Sequence, residues 1–263
     1  MVESRPMQHP FARTELILGS EALDILKKSR VAVFGLGGVG GMAAEALARS
    51  GIGHFLLIDF DVVSLTNLNR QVIALHSTLG KPKVQVMKER ILDINPEAQV
   101  ETRQEKYTPE RGDSFFSLNI DYVVDAIDMV SAKIDLIVRA RTLGVPIISS
   151  MGTGNKLDPS RLELADIYET EVCPLARVLR RELKKRGVQK LQVVYSRESS
   201  ALLQNGERAF TEVGNPGKHL PGSTAFVPPA AGLLIASWVV RDLLQRNMTL
   251  LQKPSGSDKL SSI

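Results

Sequence analysis

The sequence predicts an α/β fold built as a doubly wound, mostly parallel sheet, and three observations carry that prediction. The apolar run Val31-Ala32-Val33-Phe34 leads straight into glycines at Gly35, Gly37 and Gly40, and the small-residue helical pattern Met42-Ala43-Ala44-Glu45-Ala46-Leu47-Ala48 follows at once. A second run, Phe55-Leu56-Leu57-Ile58, ends in Asp59, nineteen residues past Gly40. Further short apolar runs, Tyr122-Val123-Val124 and Val145 to Ser150, are separated by helical patterns, and such alternation builds a parallel sheet.

The glycine spacing between a strand and a helix makes the first unit Rossmann-like. Gly35 makes the tight turn, Gly37 lets the backbone approach a pyrophosphate, and Gly40 lets the helix pack closely on the strand. The helix start offers free N–H groups and a positive dipole to an anion. Asp59 stands where such folds place the carboxylate that holds a ribose hydroxyl. By itself this spacing suits NAD as well as ATP.

Length and composition narrow the field. A chain of 263 residues can bury one large α/β core or two small ones, and 43% hydrophobic with 24% charged residues describes an ordinary globular protein. No stretch approaches the roughly 20 consecutive apolar residues that span a bilayer, and Met1 to Pro6 has no apolar signal core, so a cytoplasmic location is expected. The single cysteine, Cys173, excludes an internal disulfide and a four-cysteine zinc site. A net charge of +4 permits an anionic partner without demanding one.

In chain order, residues 1 to 12 read as a mobile arm. Arg13 opens an amphipathic segment to Gly19, and a helix is expected from Glu21 to Lys28 with Leu23 and Leu26 on one face. On these residues alone, Arg13 reads as a solvated charge. After Asp59 and Asp61 comes the amide-rich loop Ser64 to Gln71, placed at a strand's carboxyl end, where ligands bind in open sheets. Its Arg70 suits phosphate because a planar, permanently charged fork binds two oxygens at once. A helix from Gly80-Lys81-Pro82-Lys83 to Asn95-Pro96 is expected next. Lys83 opposes the dipole there, which makes sense if it faces a phosphate; a solvated lysine at a frayed end is the plain alternative.

A third strand is expected near Gln99 to Arg103, and a short helix between Pro109 and Leu118. The fourth strand ends in Asp125-Ala126-Ile127-Asp128. Either aspartate suits Mg²⁺ beside a triphosphate, or the cap of a helix starting near Ser131; Asp125 reads as structural and Asp128 as the metal ligand. A helix from Ala132 to Leu143 and a fifth strand, Val145 to Ser150, complete the first half.

In the second half, Gly152 to Asn155 is a loop and Arg161 to Ile167 a strand. Pro174 opens a helix with Leu175, Val178, Leu179 and Leu183 on one face. Arg177, Arg180, Arg181, Lys184 and Lys185 form a stripe on another face, with Glu182 on the other side. That stripe reads either as solvated surface or as a footprint for nucleic-acid phosphates. Leu191 to Ser196 is a strand, and 197 to 222 reads as a mobile crossover or lid. The helix from Ala230 to Leu244 is apolar nearly all round, so it is buried in the domain or in a subunit interface. The organisation expected is an arm and helix over 1–30, a nucleotide-binding core over 31–150, a substrate, crossover and dimerisation part over 151–252 that continues the sheet, and a disordered tail over 253–263.

Arg70, Lys83 and Asp128 together bring more charge to one edge than a dinucleotide needs, whereas ATP with Mg²⁺ uses all three. The series Gly35-Leu36-Gly37-Gly38-Val39-Gly40, Asp59-Phe60-Asp61, Asn67-Leu68-Asn69-Arg70-Gln71, Lys81-Pro82-Lys83, Ile94-Asn95-Pro96 and Asp125-Ala126-Ile127-Asp128 resembles the adenylating superfamily of ubiquitin-activating enzymes and their bacterial relatives in thiamine and molybdopterin synthesis. It covers residues 13 to about 150. The resemblance implies that Gly35, Gly37, Gly38, Gly40, Asp59, Asp61, Asn67, Arg70, Gln71 and Lys83 surround the nucleotide. It implies Asp59 on the ribose, Asp128 on Mg²⁺, and catalytic roles for Arg13, Arg70, Lys83 and Asp128. Arg13 is then expected to cross a homodimer into the other subunit's site, which replaces its reading as a solvated charge.

The second half selects a branch. Sulfur-carrier activators usually carry two C-x-x-C zinc pairs, and many use a cysteine to take over the acyl group; neither pair is present. Ala46 to Gly53, Ser150 to Pro159 and Pro174-Leu175-Ala176-Arg177 instead resemble the tRNA threonylcarbamoyladenosine dehydratases. That resemblance implies adenylation of the threonylcarbamoyl carboxylate followed by ring closure with loss of AMP, ATP and Mg²⁺ without zinc, and a modified tRNA as partner. An internal nucleophile needs no covalent relay. No cysteine follows Cys173, so a cysteine-desulfurase partner is not expected, and Cys173 reads as a small buried residue. Two other expectations stand beside this one: an activator of a sulfur-carrier protein's terminal glycine, and a nucleotide-sensing scaffold that binds tRNA through the 177–185 stripe.

Overall fold

The computed structural model describes residues 9–116, 118–199, 211–212, 215–219 and 221–251. Residues 1–8 of the arm expected over 1–12, most of the crossover and the tail over 253–263 fall outside them. Two helices lead in, α1 (Ala12–Leu18) and α2 (Ser20–Lys28). The alternating part then runs β1 (Arg30–Phe34), α3 (Gly38–Arg49), β2 (His54–Ile58), α4 (Lys83–Ile94) and β3 (Gln99–Arg103). It continues through β4 (Tyr122–Asp125), α5 (Val130–Thr142) and β5 (Ile147–Ser150). The second half adds β6 (Leu162–Asp166), α6 (Pro174–Lys185), β7 (Gln192–Ser196), β8 (Thr211–Glu212), β9 (Asn215–His219) and α7 (Val227–Leu251).

One sheet of seven strands runs through both halves in the order β3-β2-β1-β4-β5-β7-β6. All pairs are parallel except β6 on β7, an antiparallel edge that carries the second half onto the sheet of the first. Its centre is covered on both faces, so β1 and β2 read as continuous apolar runs rather than alternating ones. Leu47, Ile91 and Val239 of α3, α4 and α7 lie in one buried cluster, and Phe115, Ile137 and Leu179 lie in the other. The doubly wound architecture is therefore as the sequence predicts.

α7 starts at Val227, three residues ahead of the expected Ala230, because Pro228 and Pro229 in the first turn lack only N–H groups that a helix start leaves unpaired anyway. Its span Val227–Asn247 is long and apolar enough to cross a membrane by length and composition, yet 56% of its apolar window is buried in the fold. It packs against α3 so closely that a Cβ on Gly232 would stand 2.4 Å from the Val39 carbonyl oxygen. Trp238 Nε1 donates to the Tyr122 hydroxyl at 3.0 Å, and that hydroxyl donates to Asp242 at 2.9 Å, which ties the helix to β4.

Two other expectations change. The 197–222 segment is not all irregular, since β8 and β9 pair antiparallel within it. On α6, Ala176, Leu179 and Leu183 face the core, whereas Val178 is exposed. Asn95 proves structural: at the amino-terminal end of β2 its amide donates to the Ile52 carbonyl at 3.2 Å. Cys173 is buried at the start of α6, as expected.

Candidate nucleotide-binding active site

The strand order reverses between β1 and β4, and a crevice opens outside the carboxyl ends of the strands at such a switch point. A cavity of about 540 Å³ lies there. Gly35, Gly37, Gly38, Asp59, Asp61, Asn67, Arg70, Gln71, Lys83 and Asp128 all line it, so the motifs spread over the first half converge on one edge.

The turn between β1 and α3 has the geometry that its glycines require. Gly35 sits at φ 87°, and a Cβ on Gly40 would fall 1.8 Å from the Gly35 carbonyl oxygen, so no other residue fits either position. Gly40 thus serves packing and does not line the cavity. At Gly37 the same added atom would meet only the Gln71 amide, 3.9 Å away, which leaves a bare backbone facing the cavity.

Asp59 holds this turn in place. One carboxylate oxygen accepts the Leu36 N–H at 2.6 Å and the other accepts the Asp61 N–H at 2.8 Å. Burial pushes its carboxyl above the usual range, against the pull of Lys83 and these two N–H groups. Lys83, the first residue of α4, is buried, and its ammonium lies 2.8 Å from Asp61 Oδ2. That carboxylate compensates the cation in the helix's first turn, where the sequence offered a phosphate or a solvated lysine at a frayed end.

Arg70 is placed differently. Its Nη1 donates to the Thr66 carbonyl at 3.0 Å and to Asn69 Oδ1 at 2.9 Å, and no carboxylate pairs with it among the described residues. Burial lowers its pKa. A half-buried guanidinium without a counter-anion favours an anionic ligand. Gln71 Oε1 is buried without a hydrogen-bond partner among the described residues. An open backbone and an uncompensated cation in one cavity fit a nucleotide phosphate chain, and the unpaired amide oxygen suits a hydroxyl or amine donor of the same ligand.

Asp125 and Asp128 separate as expected. Asp125 is fully buried, paired with Lys133 at 2.8 Å and accepting the Ser149 hydroxyl at 2.6 Å, while Asp128 is exposed on the cavity wall. The pairing differs from the cap anticipated for Asp125, since the side chain reaches Lys133 inside α5.

The ThiF family profile matches residues 11–261. The chain belongs to the ThiF family. Over 246 residues it is 49% identical to the tRNA threonylcarbamoyladenosine dehydratase of Bacillus subtilis, covering 91% of this chain and 96% of that one. Among solved structures, it is similar to the E. coli tRNA N6-threonylcarbamoyladenosine dehydratase TcdA in complex with ATP, with TM-score 0.82 and 33% identity. That match covers 95% of this chain and 99% of the other. The molybdopterin-synthase adenylyltransferase of Haemophilus influenzae is 38% identical, but over 47% of this chain and 51% of its own length. That match therefore spans about half of each chain.

Two sets of expected residues lie outside the cavity of this ThiF chain. Arg13 is exposed on α1, which packs near the amino-terminal end of β2, the opposite edge of the sheet. The stripe on α6 is less uniform than its spacing suggests. Arg180 turns inward and donates to the Thr170 carbonyl at 2.7 Å and to the Thr170 hydroxyl. Glu182 lies among the cations rather than opposite them: Lys185, Arg186 and Arg181 all reach it, and Lys185 and Arg186 hold its carboxyl down to about 2. Arg177 and Lys184 have no ion pair among the described residues.

Three cavity residues were assigned no role from the sequence. Phe60, Lys106 and Tyr107 line the wall beyond Asp59, with Lys106 Nζ 5.5 Å from the Phe60 ring centroid. Lys106 follows the end of β3 by three residues, and the rule that ligands gather at carboxyl strand ends was the one signal that reached it.

Proposed function

We infer that this ThiF-family chain is an ATP-dependent dehydratase of threonylcarbamoyladenosine in tRNA. The match to the Bacillus relative, over 91% of this chain and 96% of that one, carries this reading, because the match to the molybdopterin-synthase adenylyltransferase spans only about half of each chain.

The chemistry follows from the cavity. A carboxylate oxygen of the modified adenosine attacks the α-phosphorus, the bond to the β-phosphate bridging oxygen breaks, and pyrophosphate leaves. A nitrogen of the same modification then attacks the acyl carbon, loses its proton, and expels AMP as the ring closes. Arg70 and Lys83 hold the phosphates and stabilise charge as it develops on the leaving group. Asp59 accepts a ribose hydroxyl while keeping the glycine turn in shape. Asp128, which lines the cavity, would hold Mg²⁺; one carboxylate with phosphate oxygens suits that ion, which would neutralise phosphate charge.

A homodimer belongs to this reading. Arg13 lies at the far edge of its own sheet, so it reaches a nucleotide cavity only in a second copy, and Leu16 and Ile17 beside it are 75% and 85% exposed. The same reading places the enzyme in the cytoplasm and the tRNA against Arg177, Arg181 and Lys184.

Incubation with ATP, Mg²⁺ and threonylcarbamoylated tRNA yields AMP, pyrophosphate and a nucleoside lighter by one water. No mass change with protein that binds ATP refutes the assignment. For the dimer, inactive Arg13→Ala and Arg70→Ala chains regain activity when mixed, since one hybrid site keeps both arginines; no recovery places Arg13 outside the partner's site.

A further inference from the structure

The two halves of the chain meet at a set of amide contacts that the adenylation chemistry leaves unused. Asn69 sits between the catalytic arginine and the segment leading into α7. Its Oδ1 accepts Arg70 Nη1 at 2.9 Å, and its Nδ2 donates to the Ser223 carbonyl at 3.0 Å. Arginine only donates and a carbonyl only accepts, so both ends of the Asn69 amide are matched. Next to Ser223, Gly222 makes two hydrogen bonds with Asn155: Asn155 N–H to the Gly222 carbonyl at 2.8 Å, and Gly222 N–H to Asn155 Oδ1 at 2.7 Å. Asn155 holds φ 56°, a left-handed conformation that asparagine tolerates, within the 152–158 loop of the second half. A continuous path thus runs from Arg70 through Asn69, Ser223 and Gly222 to Asn155.

We propose that Asn69 is a positioning residue that couples nucleotide capture by Arg70 to the placement of residues 221–226 and, through Asn155, of the 152–158 loop. The proposal rests on ATP being the ligand of the cavity. Arg70 is held by a neutral amide and a neutral carbonyl. A phosphate offers charged oxygens, and charge-assisted hydrogen bonds are about twice as strong as neutral ones. Arg70 then exchanges partners, Asn69 Oδ1 is released, and the amide that also holds Ser223 reorients. Filling the cavity is thereby felt at Gly222 and Asn155, in the second half of the chain.

Amide hydrogen exchange on the full chain, with and without ATP and Mg²⁺, reads the coupling directly and needs no tRNA. In the parent, ATP changes exchange at 221–226 and at 152–158. Asn69→Ala keeps ATP affinity within about threefold and loses both changes, and its turnover with modified tRNA falls about tenfold, the loss of one hydrogen bond's worth of positioning. If Asn69→Ala fails to fold, Asn155→Gly, which keeps the left-handed backbone and its N–H bond to the Gly222 carbonyl but removes Oδ1, retains the change at 221–226 and weakens it at 152–158. An ATP response that persists at both segments in Asn69→Ala, or that reaches 152–158 undiminished in Asn155→Gly, overturns the proposal, as does its absence from the parent. A parent that shows the response yet releases no AMP with modified tRNA overturns the assigned reaction and leaves the coupling intact.

Discussion

Two lysine–aspartate pairs, each 2.8 Å long, sit within a few residues of the same sheet edge and have opposite meanings. Lys133 and Asp125 are both 0% exposed, and Ser149 completes the set by donating to Asp125 at 2.6 Å and accepting from Lys133 at 3.0 Å. Lys83 is also buried, at 6%, but its partner Asp61 is 46% exposed and both line the nucleotide cavity. The first pair is closed on itself. The second is open on one side, where a phosphate can replace the carboxylate. What separates a structural ion pair from a binding one is therefore not its length but whether one partner retains access to a ligand.

The largest effect expected from this contrast is on stability. Lys133→Met leaves the Asp125 carboxylate buried without its cation and destabilises the fold by about 3–5 kcal/mol, read from the denaturation midpoint. A midpoint equal to the parent's breaks the distinction at its structural end. Lys83→Met acts at the other end, lowering kcat/KM for AMP formation by about 10²–10³-fold while costing at most about 1 kcal/mol of stability. If the two variants exchange behaviours, the assignment of the pairs is inverted.

Asp59 sharpens the comparison because it is both buried and part of the site. Its folded-state pKa lies above the ordinary 3.8, so between the two values the folded chain holds a proton that the unfolded chain has lost. Its contribution to stability therefore falls as pH rises from about 4 through that window and stays lower above it. ATP binding moves the other way, since the ionised carboxylate accepts the ribose hydroxyl. Nucleotide titrations and melts across the same pH series check both signs, and ATP affinity that does not rise removes Asp59 from the ribose. The smallest effect is expected on α6, where Arg181→Glu with Lys184→Glu raises KM for tRNA several-fold and leaves ATP affinity unchanged. An unchanged KM makes that face solvated surface.

The nucleotide half was legible because its chemistry is bound to backbone geometry. Gly35 and Gly40 admit no other residue, and Lys83 announces itself by standing where a helix dipole disfavours a cation. The 3.6-residue period placed the α6 cations in one direction and did not show where their long side chains end. Arg180 bends back to Thr170, while Arg181, Lys185 and Arg186 converge on Glu182, which the helical projection set apart from them. Lys106 and Phe60 were missed for another reason: their contact spans two strand ends, and no spacing within one segment encodes it. Asp59 was expected at the cavity it lines, but its grip on the Leu36 N–H was not legible, since that contact exists only once β1 and β2 are paired.

The contact of Gly232 with Val39 bears on how the molecule is assembled over time. Helix α7 leaves the ribosome after β2 to β9 and covers the first helix of the nucleotide fold, so the apolar face of α3 waits through all of them for its cover. Contacts so distant in sequence slow folding and prolong the exposure of that face. A nascent chain stalled before α7 would possess every phosphate-binding residue of the cavity and still be a client for chaperones.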